Sequence, residues 1–126
     1  MSENTYKSYK DLKIWTNGIE IVELVYLITK DFPKQEQFGL TSQIRRCSIS
    51  IPSNIAEGWG RAYNKSSLAF LRIARASLYE LDTQLIISRK LNYIDENNFK
   101  TLSDLILAES KMLNAFMTSI KKKIGA

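Results

Sequence analysis

The sequence predicts an all-α fold, an antiparallel up-down-up-down four-helix bundle. Three observations carry this. Apolar residues recur at spacings of three and four along four separate segments, the period of one helical face. The 126 residues include only 5 Gly and 2 Pro, so few breakers interrupt those segments. No pair of segments alternates as strands do, and there is no internal repeat or low-complexity stretch. At this length the chain is expected to form one domain, residues 1–126, with short links that set successive helices antiparallel.

The first helix is expected over about residues 11–31. Leu12, Trp15, Ile19, Val22 and Tyr26 follow at spacings of 3, 4, 3 and 4 and form a seam, with Ile14, Ile21, Val25 and Ile28 on a neighbouring face. Asp31-Phe32-Pro33 ends it, because the residue before a proline is disfavoured in the α region. The second helix is expected over about residues 36–60, with Leu40, Ile44, Cys47, Ile51 and Ile55 in one stripe. Pro52 lies inside it. Proline lacks the N–H that would serve the carbonyl four residues back, and its ring crowds that carbonyl. A kink or local break is therefore expected near Ser48 to Pro52. The stripe keeps its phase across the proline, which argues for one helix. Gly58 and Gly60 are placed to stop it.

The third helix, about residues 65–91, begins after Asn64 as N-cap. Leu71, Ala74, Leu78, Leu81 and Leu85 make its stripe, Phe70, Ile73, Ile86 and Ile87 fall outside it, and Asn92 marks its end. The fourth, about residues 95–122, opens at Asp95 as N-cap and carries Phe99, Leu102, Ile106, Leu113, Phe116 and Ile120 as its seam. The first and third helices carry more apolar surface than one core contact needs, so a second interface, hence self-association, is expected.

Composition removes whole classes of function. There is no histidine, so the commonest general acid/base and metal ligand is absent. The one cysteine, Cys47, sits on an apolar stripe and reads as a small core residue. An enzyme is not expected, nor a metal or cofactor. No apolar run reaches the length of a membrane span, and the N-terminus lacks an apolar signal segment. With a single cysteine, a cytoplasmic location is expected.

Charge points to a partner. Between Lys34 and Arg75, the cations Lys34, Arg45, Arg46, Arg61, Lys65, Arg72 and Arg75 face only Glu36 and Glu57, so the entire net charge of +5 falls there. Arg45, Arg46, Arg61, Lys65, Arg72 and Arg75 are the candidate phosphate contacts, because a guanidinium fork bonds phosphate in two places. Arg45 and Arg46 stand about 100° apart on a helix, so they cannot share one neighbour. The competing reading has one arginine bridging carboxylates and the other merely solvated.

Ser53, Asn54 and Glu57 form a polar motif with a structural reading. Asn54 and Glu57 could satisfy backbone groups freed by Pro52, or pair with Arg72 or Arg75, and Glu57 also stands four residues before Arg61. Trp15 and Trp59 read as packing anchors more than base-stacking platforms. Lys121, Lys122 and Lys123 suit the negative end of a helix dipole.

Several of these residues also carry a resemblance. Asp11-Leu12-Lys13-Ile14-Trp15, Phe32-Pro33-Lys34, Phe38 to Gln43, Arg45-Arg46, Ser50 to Gly58, Arg61 and Phe70 to Ser77 with Glu80 resemble the 23S rRNA intervening-sequence proteins, over about Tyr9 to Ile120. That family was first known from reading frames inserted in bacterial 23S rRNA genes. Ala76, where relatives often carry glycine, and Cys47, where alanine is common, depart from it. The resemblance implies a four-helix bundle assembled as a ring-like homopentamer, with no known enzymatic activity. Related bundles are accessory factors of diversity-generating retroelements, which engage nucleic acid and a reverse transcriptase. The expected function is therefore a non-enzymatic homo-oligomer, a pentamer by resemblance, that binds structured RNA or DNA through its basic surface. The alternative is a protein scaffold that docks a partner enzyme such as a reverse transcriptase.

Overall fold

The computed structural model describes residues 7–125; the first six residues of the polar N-terminus lie outside them. Four α-helices make up the fold: α1 Lys13–Thr29, α2 Leu40–Trp59, α3 Lys65–Lys90 and α4 Glu96–Gly125. Short 3-10 turns at Tyr9–Asp11 and Lys34–Glu36 precede α1 and α2, and there is no strand among the described residues. Each helix packs on its neighbour in sequence and α4 closes against α1, whereas the backbones of α1 and α3, and of α2 and α4, do not approach closely. This is a four-helix bundle around one core. No helix among the described residues is long and apolar enough to cross a membrane.

The caps explain where helices begin. Asn64 Oδ1 accepts from the Ser66 and Ser67 amides at 2.9 and 3.2 Å, and Ser67 Oγ accepts from the Asn64 amide at 3.0 Å, a reciprocal box that starts α3 as expected. Asp95 Oδ1 accepts from the Asn98 amide at 2.7 Å at the start of α4. Asn92 follows α3 with φ 61°, the left-handed conformation Asn tolerates. At the end of α2 one of the two expected stops, Gly60, holds and the other does not. Gly58 lies inside the helix and Gly60 caps it with φ −65°, while the left-handed turn falls on Ala62 and Tyr63, both at φ 59°.

Packing corrects the reading of α1. Its buried set is Ile14, Gly18, Ile21, Val25, Ile28 and Thr29; Trp15, Ile19 and Val22 are half-buried and Tyr26 is exposed. The two stripes have the same 3–4 spacing, so periodicity alone could not rank them. Gly18 ranks them, because its bare Cα admits the neighbours: a Cβ there would lie 3.4 Å from Pro52 Cβ and 3.1 Å from Glu109 Oε2. The expected interruption of α2 does not appear as a break, for the helix runs from Leu40 through buried Pro52 to Trp59. The core of α2 is the expected stripe, with Ile44, Cys47, Ile51 and Ile55 buried. Gly58 lets α3 come close, since a Cβ there would meet Leu71 Cγ and Cδ2 at 3.1 Å and the Ser67 carbonyl oxygen at 3.2 Å.

One end of the bundle is tied by Glu36. Its Oε1 accepts from the Leu40 amide at 3.2 Å and its Oε2 from the Tyr93 hydroxyl at 3.0 Å, joining the α1–α2 and α3–α4 links. This bond and burial both hold the Tyr93 phenol above its ordinary pKa. Phe32 packs its ring 5.5 Å from that of Tyr93 beneath them.

Candidate functional site

The six candidate cations do not form a single strip on one protomer. Arg45 leaves α2 towards α1: its Nε donates to Thr29 Oγ1 at 2.8 Å and its guanidinium lies 4.6 Å from the centre of the Tyr26 ring. Thr29 Oγ1 in turn donates to the Val25 carbonyl at 2.7 Å, so a buried hydroxyl orients the arginine. Arg75 leaves α3 towards α4, where Nη1 donates to Asn114 Oδ1 at 3.2 Å. The α1–α2 and α3–α4 sides are opposite sides of a bundle whose diagonal helix backbones stay apart. Arg46 is exposed on α2, and Arg72 and Lys65 are exposed on α3. Arg61 follows α2, lies 4.9 Å from the Phe70 ring centre and pairs with Glu57 at 3.8 Å, both side chains being about half exposed.

That Glu57–Arg61 pair is one of two ion pairs among the described residues, the other being Lys100–Asp104 at 3.1 Å. Arg45, Arg46, Arg72, Arg75 and Lys65 therefore have no carboxylate partner among the described residues of the protomer. The reading in which an arginine bridges carboxylates between helices is not met inside one copy.

The polar motif on α2 behaves otherwise than expected. The carbonyl deprived of its donor by Pro52 is that of Ser48. Asn54 does not serve it; its Nδ2 donates to the Ser50 carbonyl at 2.8 Å and to Ser50 Oγ at 3.0 Å. Ser77 Oγ donates to Ser50 Oγ at 2.9 Å, which links α2 to α3 through hydroxyls. Glu57 reaches neither Arg72 nor Arg75, and Ser53 is exposed. Both residues project outward because they stand opposite the Ile51–Ile55 stripe.

Cys47 is a core residue as expected; its thiol donates to the Ser77 carbonyl at 3.0 Å, and burial pushes its pKa well above the ordinary thiol range. The tryptophans pack. Trp15 meets Tyr9 edge-on at 5.3 Å, and Trp59 meets Tyr63, which meets Phe116, at 5.4 and 5.8 Å. Lys123 lies over the Tyr63 ring at 5.4 Å, while Lys121 and Lys122 are exposed at the end of α4. Among the described residues no three His, Cys, Asp or Glu side chains gather as a metal site.

Two features escaped sequence reasoning. Glu109 is 0% exposed, on the core face of α4. Its Oε1 accepts from Asn17 Nδ2 at 3.1 Å and its Oε2 has no partner, and burial pushes its carboxyl up to about 8 from an ordinary 4.5. The signal was a spacing: Glu109 falls three after Ile106 and four before Leu113, in the register of the seam. The second is a groove of about 470 Å³ between the start of α2 and α1, beside Tyr26 and Phe38; Arg45 and Arg46 both line it, against the expectation that they could not share a neighbour, because long side chains from adjacent positions reach one groove.

Over residues 10–115 the chain matches the family model described as 23S rRNA-intervening sequence protein. No curated protein matches it. Among solved structures it is similar to a protein of unknown function from the S23 ribosomal protein family of Bacteroides thetaiotaomicron, with a TM-score of 0.72, 23% identity, and coverage of 83% of this chain and 95% of that one. At that identity the likeness shows the fold alone.

Proposed function

We propose a function from one premise: this chain belongs to the 23S rRNA-intervening sequence protein family. It acts as a cytoplasmic, non-enzymatic homo-oligomer, a pentamer, that binds structured RNA or DNA through phosphate contacts. The observation that carries this reading is that Arg45, Arg46, Lys65, Arg72 and Arg75 have no carboxylate partner among the described residues of the protomer. Arginines that no carboxylate neutralises keep their charge for an external anion. Each copy presents them on more than one side, so assembly multiplies the basic surface, and a pentamer carries five times the protomer's +5. Ile73 and Ile87, exposed on α3, and Leu91, exposed just after it, supply apolar area for contact between copies.

The test is fluorescence anisotropy with a structured RNA and a matched DNA duplex at about 50 and 200 mM salt. Tight binding that collapses with salt supports the reading. Arg46→Glu and Arg72→Glu should each weaken RNA and DNA binding by similar factors, because phosphate contacts carry no sequence information. Folded variants that bind as the parent does would remove these arginines from the account. Sedimentation of the protein alone reports the oligomer.

A second reading, a scaffold that docks a partner enzyme such as a reverse transcriptase, is favoured by exposed Tyr79 and Leu107 beside the α3–α4 cleft. Capture of such an enzyme that persists at high salt and without nucleic acid would select it.

A further inference from the structure

Phe38 is 89% exposed, the most exposed of the large apolar side chains among the described residues. The turn that carries it is rigidly held. Glu36 accepts from the Leu40 amide and from Tyr93, and the Gly39 amide donates to the Glu36 carbonyl at 3.0 Å. A side chain on Gly39 would meet Glu36 Oε1 at 2.9 Å, so the glycine makes room for this lock. A phenyl ring left in water on an ordered turn forgoes roughly 2 kcal/mol of burial, and the turn itself has no use for it.

The groove beside Phe38 has a distinct chemistry. Arg45 and Arg46 line it, and no Asp or Glu does. Arg45 is already oriented by Thr29 and the Tyr26 ring, which lowers the entropy lost when it binds an anion. Thr41 also lines the groove; it is 8% exposed and its hydroxyl oxygen has no partner. The first amide of α2 is already taken by Glu36 Oε1 at 3.2 Å, so the cationic character of the groove rests on the two arginines. Ile49 and the Phe38 ring supply the apolar part. A bare phosphate would leave the ring and Ile49 unused, and an apolar ligand would leave two guanidiniums and a buried hydroxyl unanswered. The volume falls within the roughly 300–1,000 Å³ range of small-ligand sites.

We propose that this groove holds one nucleotide unit, with the base stacked on Phe38 and the phosphate on Arg45 and Arg46. The unit is either a free nucleotide or an unpaired nucleotide of a strand. The strand source rests on the proposed nucleic-acid function; the free source does not. A base in a duplex is already stacked and paired, so the groove discriminates unpaired from paired nucleic acid although nothing in it reads sequence.

The experiment titrates the full chain with three probes: AMP, a single-stranded RNA of about 12 nucleotides, within the range such sites span, and the same strand in a duplex. Phe38→Ala is expected to weaken single-strand binding by roughly five- to a hundredfold, the loss of one aromatic stack, and to leave duplex binding unchanged. Phe38→Tyr keeps the stack and should restore parental affinity. Lys111→Gln, at an exposed position of α4 outside the groove, should not change AMP binding. Phe38 is exposed, and matching thermal melts confirm that the variants fold. Strand binding that falls in Phe38→Ala and recovers in Phe38→Tyr supports the strand source. AMP binding with the same dependence, but no strand binding, supports the free nucleotide and overturns the nucleic-acid function. Strand binding indifferent to Phe38→Ala, without AMP binding, overturns the groove and leaves that function standing. Failure of all three probes overturns both.

Discussion

Replacing Glu109 by glutamine is expected to stabilise the bundle at neutral pH and to flatten its pH dependence. Glu109 is buried in the core, its carboxyl pushed up to about 8 by loss of water, against the opposing effect of the Asn17 amide that donates to it. In the unfolded chain the same group titrates near 4.5. Between these values the unfolded chain ionises while the folded one keeps its proton. Stability is therefore full below about pH 4.5 and falls as pH rises, by about 1.4 kcal/mol per unit, until about pH 8. At pH 7 the loss is about 3 kcal/mol. Glutamine is neutral throughout and its carbonyl can still accept from Asn17. Its amide nitrogen takes the place of the protonated Oε2, which also has no partner, and the additional unsatisfied N–H costs about 1–2 kcal/mol. The net gain at pH 7 is thus about 1–2 kcal/mol. The assay is urea unfolding of both proteins at about pH 5, 7 and 8.5, at one protein concentration. The Glu109→Gln variant should be equal or weaker at the lowest pH and gain steadily on the parent above it. The raised groups at Cys47 and Tyr93 titrate above this window and do not confuse it. Parallel stability curves for the two proteins would refute a protonated Glu109 in the core.

Three further outcomes test the packing and the caps. Gly58→Ala should destabilise by about 1–3 kcal/mol in chemical unfolding, because its methyl would press on Leu71 and the Ser67 backbone. Ala62→Gly should raise stability by about 1 kcal/mol in the same assay, since Ala62 holds φ 59°. Asn64→Ala should cost about 1 kcal/mol by removing the acceptor for two amides at the start of α3, and hydrogen exchange should show the loss concentrated at Ser66 and Ser67.

Periodicity and caps were legible because they are local. A 3–4 spacing places residues on one face whatever the neighbours are, so four helices, the core role of Cys47 and the stripe of α2 followed from the residues alone. Asn64 and Asp95 act within three residues of themselves, and their caps followed in the same way. Periodicity gives the azimuth of a residue on its own helix, but it does not say which helix stands at that azimuth. Two equivalent stripes on α1 were therefore ranked only by contact, through the space Gly18 leaves for Pro52 and Glu109. Contact likewise set Arg45 on α1 and Arg75 on α4, dividing a charge cluster that is continuous in sequence. Glu109 is the sharpest case. Its register called for burial and its charge opposed it, and only Asn17, 92 positions away, supplies the bond that reconciles the two. Interactions within one turn of helix are written in the order of the residues; those across the bundle depend on which surfaces the fold presses together.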